Sequence, residues 1–243
     1  MTTRERPAFY ALQPGGWRDY VTLLHPPYTL WHLSYVAIGA SLAPGLQVHR
    51  LLWGLAAFFL AMGVGAHALD ELNGRPIRTS IPSGVLIALA IVSIGGATAI
   101  GIGAALAWTL WLLPFVGFGA FIAVAYTLEL AGGRFHGDAW FALAWGAFPV
   151  LTAYVGATET LRPEAILAAV FAAFLSVAQR RLSTQVRTLR RRATSVSGSI
   201  VYTDGKREEI ENETFRAAPE AALRALTITV VALAAALLVQ QFS

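Results

Sequence analysis

The sequence contains no cysteine. That excludes disulfide cross-links, thiolate chemistry and any cysteine-ligated metal. Charge is scarce as well. Asp, Glu, Lys and Arg make up 13% of the chain, about half the share an ordinary soluble domain uses to cover its surface. Most of the surface is therefore expected to meet something other than water. A glycine-rich phosphate loop in strand-to-helix context, a nucleophile elbow and an HExxH zinc pattern are all missing. The glycines at 95, 96, 101 and 103 continue an apolar helical stretch and follow no strand. No secretory-type apolar core follows Arg4 and Arg6, so a cleaved leader is not expected.

What the chain holds in quantity is apolar surface: 56% of its 243 residues are hydrophobic, and the mean hydropathy is +0.58. A helix crossing a hydrocarbon core of roughly 30 Å needs about 20 mostly apolar residues. Seven stretches read this way: 28–46, 51–69, 85–104, 107–128, 139–157, 163–177 and 222–240. They predict an all-α polytopic protein of about seven transmembrane helices, multi-pass in the cell membrane and in contact with its lipid. The sixth stretch is short. Pro163 suits its first turn, where a missing N–H is no loss, and an amphipathic run carries it on to Leu189. The many small residues, as in 95–103, let helix backbones approach where lipid gives no hydrophobic drive to associate.

Basic residues are unevenly placed. With the N-terminus in the cytoplasm, one side of the membrane holds Arg4, Arg6, Arg18, Arg75, Arg78, Arg134 and the basic residues from Arg180 to Arg224. The other side holds Arg50 and Arg162. This is the positive-inside pattern, and it accounts for the net charge of +4 without a nucleic-acid partner. The expected organisation is a cytoplasmic arm over 1–27, with Trp17 and Tyr20 at the interface. A six-helix bundle over 28–181 follows, then a cytoplasmic segment over 182–221 and a last transmembrane helix over 222–243. Within that segment 196–202 has strand character, and Asp204-Gly205 suits a tight hairpin turn. Glu208, Glu209, Glu211 and Glu213 read as a solvated acidic face.

Ionisable groups at membrane depth need a partner, a metal or a wet cavity. Near the end of the second stretch, His67, Asp70 and Glu71 stand three and four residues apart, a spacing that brings all three to one helical face. Arg75 and Arg78 follow directly. Three chemistries fit this cluster. Its carboxylates and imidazole suit Mg²⁺ or a similar ion; its guanidiniums suit a phosphate; and together they suit an ion-pair network closing the bundle. A second group, Tyr126, His136 and Asp138, falls on the same predicted side, where Asp138 also fits a helix cap. His32, near one end of the first stretch, fits either an inward-facing polar role or aromatic packing.

In order along the chain, three segments resemble the UbiA superfamily of intramembrane prenyltransferases. These are 27–39, with Trp31-His32-Leu33-Ser34-Tyr35; 63–84, with Arg75-Pro76-Ile77 and Pro82-Ser83-Gly84; and 126–156, with Gly137-Asp138 before Trp140. The resemblance covers roughly residues 27 to 189. It implies a helical bundle around a central cavity, transfer of a prenyl group from an isoprenoid diphosphate to a lipophilic acceptor, and Mg²⁺ bound with diphosphate at two aspartate-rich motifs. The first motif falls on Ala66, His67, Asp70 and Gly74, and retains Asp70 with Glu71 beside it. The second falls near 176–185, where Arg180 and Arg181 stand and no aspartate occurs. The implied assignment has catalytic Asp70 and Glu71, with His67, Asp70 and Glu71 on the metal. Arg75, Arg78, Arg180 and Arg181 would bind diphosphate, and an apolar tail would lie along Phe58, Phe59, Trp108 and Phe121. The alternative is a catalytically inactive relative that binds an isoprenoid or organises its synthesis.

Overall fold

The computed structural model describes residues 6–243. Among the described residues eight main helices and one hairpin, besides a short helical turn at Leu130–Gly133, make up the fold. They are α1 (Trp17–Leu23), α2 (Pro26–Ser41), α3 (Val48–Leu72), α4 (Ser83–Ala107) and α5 (Leu112–Thr127), then α6 (Asp138–Thr158) and α7 (Pro163–Arg191), the strands β1 (Gly198–Val201) and β2 (Arg207–Ile210), and α8 (Asn212–Gln240). Five of these, α3, α4, α6, α7 and α8, are long and apolar enough to cross a membrane. Their outward faces carry bare apolar side chains such as Ile91, Val92, Leu106, Phe174 and Ile228, as contact with lipid requires.

The other two expected spans form apolar helices of 16 residues each, α2 and α5. At 1.5 Å per residue they reach about 24 Å, short of a roughly 30 Å core. α2 is hydrophobic on every face, the mark of a buried helix. Trp31, Tyr35, Val36 and Ile38 are all enclosed, and the helix packs against α8 on one side and the second half of α6 on the other. The close approach to α6 passes through Gly39, where an added Cβ would lie 2.3 Å from the Val150 carbonyl oxygen. α7 meets the first half of α6 in the same way, with Gly146 under the Ala172 carbonyl at 2.6 Å. α4 and α5 close the far side of the bundle against α3.

Two stretches depart from α-helical geometry. Residues Phe59–Ala66 of α3 and Ala142–Ala147 of α6 are widened π turns, which interrupt the regular i→i−4 hydrogen-bond ladder. Both lie toward the arginine-rich end of the bundle.

That end is elaborate. α7 runs unbroken from Pro163 through the amphipathic stretch to Arg191. The hairpin pairs Gly198 with Ile210 and Val201 with Arg207 in antiparallel register, and Gly205 supplies the left-handed angle of its turn at φ +82°. Glu211 and Thr214 cap α8 reciprocally. Glu220 on α8 receives Arg190 of α7 at 2.9 Å and lies 3.4 Å from Arg216, so a largely buried ion network locks α7 to α8. The N-terminal segment folds back over this end. Its α1 is tied down by Asp19, whose carboxylate accepts the Gly15 N–H at 3.0 Å, the Ser80 N–H at 3.0 Å and the Ser80 hydroxyl. Trp17 and Tyr20 of the same helix stay exposed.

Candidate functional site: a polar chamber at the arginine-rich end

Beneath the folded-back segment lies a chamber of about 120 Å³. Its walls come from six parts of the chain, α6 among them with Phe141 and Trp145. The N-terminal segment gives Phe9, Tyr10 and His25, and α2 gives Tyr28 and His32. α3 gives His67 and Asp70. The end of α5 and the loop after it give Tyr126 and His136. α7 gives one polar stripe: Gln179, Arg180, Ser183, Arg187 and Arg191. The spacing of that stripe returns to one helical face, so a single helix lays three guanidiniums along the chamber.

Three of the histidines are oriented by the backbone. The Nδ1–H of His32 donates to the Trp145 carbonyl at 2.9 Å, that of His67 to Gly63 at 3.0 Å, and that of His136 to Tyr126 at 3.0 Å. A carbonyl only accepts, so Nδ1 must carry a proton, and a ring in its neutral form then presents Nε2 as a lone pair. Gly63 and Trp145 both belong to the widened π turns, which ties the distorted helices directly to ring orientation. The fourth histidine, His25, sits just before α2 in a left-handed conformation at φ 47°. A non-glycine residue held there stores about 1–3 kcal/mol of strain. The position lays its ring on His67, and its Nδ1 is hydrogen-bonded to the Tyr10 hydroxyl at 2.9 Å. Burial, reinforced by His67, Arg191 and Arg187, holds the His25 imidazole well below its ordinary pKa. Burial first, and then Tyr28, pushes the Tyr10 phenol well above its own. Both groups are therefore neutral near pH 7.

The arginines are unevenly committed. Arg180 is engaged by Asp138 at 2.8 Å and by the Tyr126 hydroxyl, and lies over the Tyr126 and Phe141 rings. Arg187 donates to Thr184 at 3.0 Å and Arg191 to the Pro7 carbonyl at 3.1 Å. Neither forms an ion pair among the described residues. The Asp70 carboxylate receives no hydrogen bond and forms no ion pair among them either. The chamber thus holds three guanidiniums and one carboxylate in its walls.

Of the residues singled out in the sequence, His32, His67, Asp70, Tyr126, His136 and Arg180 meet in this chamber. Glu71 does not. Wholly enclosed at 0% exposure, its carboxylate accepts the Ile77 N–H at 3.1 Å, the Thr79 N–H at 2.7 Å and the Thr79 hydroxyl at 2.8 Å. The expected set of His67, Asp70 and Glu71 on one ion is therefore not assembled, because Glu71 stands at the helix end and folds the next loop around itself. Among the described residues no three His, Asp or Glu side chains are grouped to hold a metal. Asp70 alone of the expected carboxylates remains available in the chamber. Arg75 is likewise turned into the loop, donating to the Ile81 carbonyl at 2.6 Å and to Ser83 at 2.9 Å. Arg78 does not line the chamber. Arg181 points outward with its side chain 75% exposed and lies 3.7 Å from Asp138, which itself braces Arg180 from outside the chamber.

Tyr10, His25, Gln179, Arg187 and Arg191 were not anticipated. For the last three a signal existed, since they share a helical stripe with Arg180. Nothing local in 6–27 announces that Tyr10 and His25 fold back to His67. On the opposite half of the bundle, two apolar crevices of about 70 and 90 Å³ run between α3, α4, α5 and α6, with Phe58 in both and Trp108 in the first. Phe59 and Phe121 line neither, and no residue is shared with the polar chamber.

Comparison of the chain with protein-family models, with curated proteins and with solved structures found no match.

Proposed function

We propose that this chain is a UbiA-like, multi-pass protein of the cell membrane that holds the phosphorylated head of a lipid in the chamber. An isoprenoid diphosphate is the candidate implied by the sequence resemblance. One observation carries the reading: Arg180, Arg187 and Arg191 project from one stripe of α7 into a space with a single carboxylate. With Arg180 already paired to Asp138, the exposed Arg187 and the half-buried Arg191 leave a local excess of positive charge that attracts an anion, and guanidinium offers phosphate oxygens geometrically matched donors. The basic end of the bundle then lies on the cytoplasmic side, by the bias of the short loops.

Prenyl transfer to a lipophilic acceptor is the second reading. Asp70 favours it, as an uncommitted carboxylate in the same space as the arginines. Should Mg²⁺ take part, Asp70 would be its protein ligand and the phosphate oxygens would supply further positions. The ion would offset charge on the diphosphate, while the arginines bind and orient it.

The test is binding of farnesyl diphosphate to the purified protein in detergent. Arg187→Ala and Arg191→Ala should each weaken it by about ten- to a hundred-fold, and salt should weaken it further. Unchanged affinity in both variants rejects the chamber as the anion site. Release of diphosphate in the presence of an acceptor, lost in Asp70→Asn, separates the enzyme from the binding protein.

A further inference from the structure

The arginines account for only one end of what the chamber offers. Gln179 is 3% exposed, and its side-chain carbonyl oxygen is buried with no hydrogen-bond partner. An orphaned buried acceptor of this kind costs about 1–3 kcal/mol unless a donor reaches it. It lines the chamber together with Asp70, whose carboxylate receives no hydrogen bond among the described residues, and with His32, His67 and His136. Their Nδ1–H groups are all spent on backbone carbonyls, so a ring in its neutral form has only the Nε2 lone pair left to offer. Five groups able to accept therefore line a space whose charged donors are Arg187 and Arg191, with neutral donors such as the Tyr28 hydroxyl beside them.

A bare phosphate or an isoprenyl diphosphate brings acceptors only. It would satisfy the arginines and leave Gln179 and the imidazoles unanswered. A ligand matching both halves carries a phosphate at one end and hydrogen-bond donors at the other. An ammonium group would be a donor, but Arg187 and Arg191, the two guanidiniums of the stripe with no ion pair among the described residues, repel it. Neutral hydroxyls meet no such opposition.

We infer that the chamber binds a hydroxyl-bearing phosphate ester, of the glycerol-phosphate or sugar-phosphate kind, with its phosphate on Arg187 and Arg191 and its hydroxyls on Gln179, His32, His67 and Asp70. This rests on the anion-binding reading above and narrows its ligand class. The same chemistry occurs in a lipid headgroup and in a free metabolite.

Calorimetric titration of the full chain in detergent tests it with three probes: glycerol 3-phosphate, propyl phosphate, which has the same anion without hydroxyls, and ethanolamine phosphate. Glycerol 3-phosphate should bind at least about ten-fold more tightly than either of the others, the worth of one or two well-made hydrogen bonds. The ratio should fall toward one in Gln179→Leu and in His32→Phe, either variant sufficing if the other does not fold. Displacement of glycerol 3-phosphate by phosphatidylglycerol vesicles, and not by phosphatidylcholine vesicles, would support a lipid source. Displacement by neither, with tight binding of the free ester, would support a soluble one. Equal binding of glycerol 3-phosphate and propyl phosphate overturns the inference while leaving the anion site standing, the acceptors then being hydrated. Failure of all three probes to bind overturns the anion reading beneath it.

Discussion

The His67 imidazole lies flat against that of His25, with ring centroids 4.1 Å apart and planes 14° from parallel. One ring belongs to a membrane-length helix and the other to the N-terminal segment folded over it. The stack is therefore the seam along which the chamber is closed. Two imidazolium rings at that separation would repel strongly, and Arg187 and Arg191 line the same space.

This seam should be sensitive to acid. The His25 pKa is depressed in the folded protein by burial, then by His67, Arg191 and Arg187, whereas an unfolded histidine titrates near 6.5. The unfolded chain takes up the proton first, so the stabilisation is full above about pH 6.5 and is lost as pH falls below it. Thermal unfolding in detergent from pH 7.5 to 5 should show a falling Tm, with His25 contributing at most about 1.4 kcal/mol per pH unit. Tyr10, Asp70 and the two arginines share the site and set the background. His25→Phe, which keeps an aromatic face on His67, should flatten the profile; an unchanged slope would refute the assignment.

Asp19 ties down the same segment from the other side. Burial works against its charge, but the hydroxyl and N–H of Ser80 and the N–H of Gly15 outweigh that, and its pKa is lowered. Its contribution is therefore present above the unfolded carboxylate value near 3.9 and vanishes only as pH drops through the folded one. At neutral pH Asp19→Ala should lower stability by about 2 kcal/mol. Limited proteolysis should then cut within residues 6–24 before the rest of the chain.

Adjacent carboxylates should behave as opposites. In Glu71→Gln an amide –NH₂ replaces one oxygen of a carboxylate ringed only by donors, and the loss should be about 3 kcal/mol of stability. Asp70→Asn removes a group that receives no hydrogen bond among the described residues. Its Tm should hold within the experimental spread while phosphate-ester binding changes. Paired Tm and affinity measurements on the two variants decide this, and a stable, non-binding Glu71→Gln would contradict it.

Gly39→Ala and Gly146→Ala should both be severe. The added methyl meets backbone carbonyl oxygens at 2.3 and 2.6 Å, and no rotamer change relieves contact with backbone. Overpacking of this kind costs about 1–3 kcal/mol or more. Gly95→Ala, where an added Cβ meets nothing within 4 Å, is the control. Comparable yield and Tm for Gly39→Ala and Gly95→Ala would mean that α2 and α6 are not in contact at Gly39.

The places of the apolar helices were legible in the sequence because hydropathy over some twenty residues is a strong signal. The start of α7 at Pro163 and the turn at Asp204-Gly205 were legible too, from the backbone chemistry of proline and glycine, and the amphipathic continuation of α7 from its periodicity. What was hidden depends on register or on distance in the chain. Helical spacing put Glu71 with His67 and Asp70, yet α3 ends at Leu72, so Glu71 answers to the loop beyond it and not to the periodicity behind it. α2 and α5 were apolar enough to read as spans, but their length is set by where their ends are recruited: His25 at the head of α2 into the chamber, and Tyr126 near the end of α5. Arg187 and Arg191 stood only among the basic residues of one membrane side, because an amphipathic stripe does not say whether it faces open water or the rim of a pocket. The widened turns leave no trace in composition, since one extra residue in a turn alters neither hydropathy nor charge.

Those turns make the protein more vulnerable to a change in its count of residues than to a change in their kind. Removing a single amino acid between Phe59 and Ala66 would let α3 close to normal pitch, disturbing the turn whose Gly63 carbonyl accepts from the His67 ring. His67 would then lose the contact that orients it, with its own side chain chemically intact. A one-residue deletion between Ala142 and Ala147 would carry off the carbonyl that steers His32. Chemistry here is kept in phase by two small irregularities, and a frame slip of 1.5 Å would silence it more surely than most point mutations.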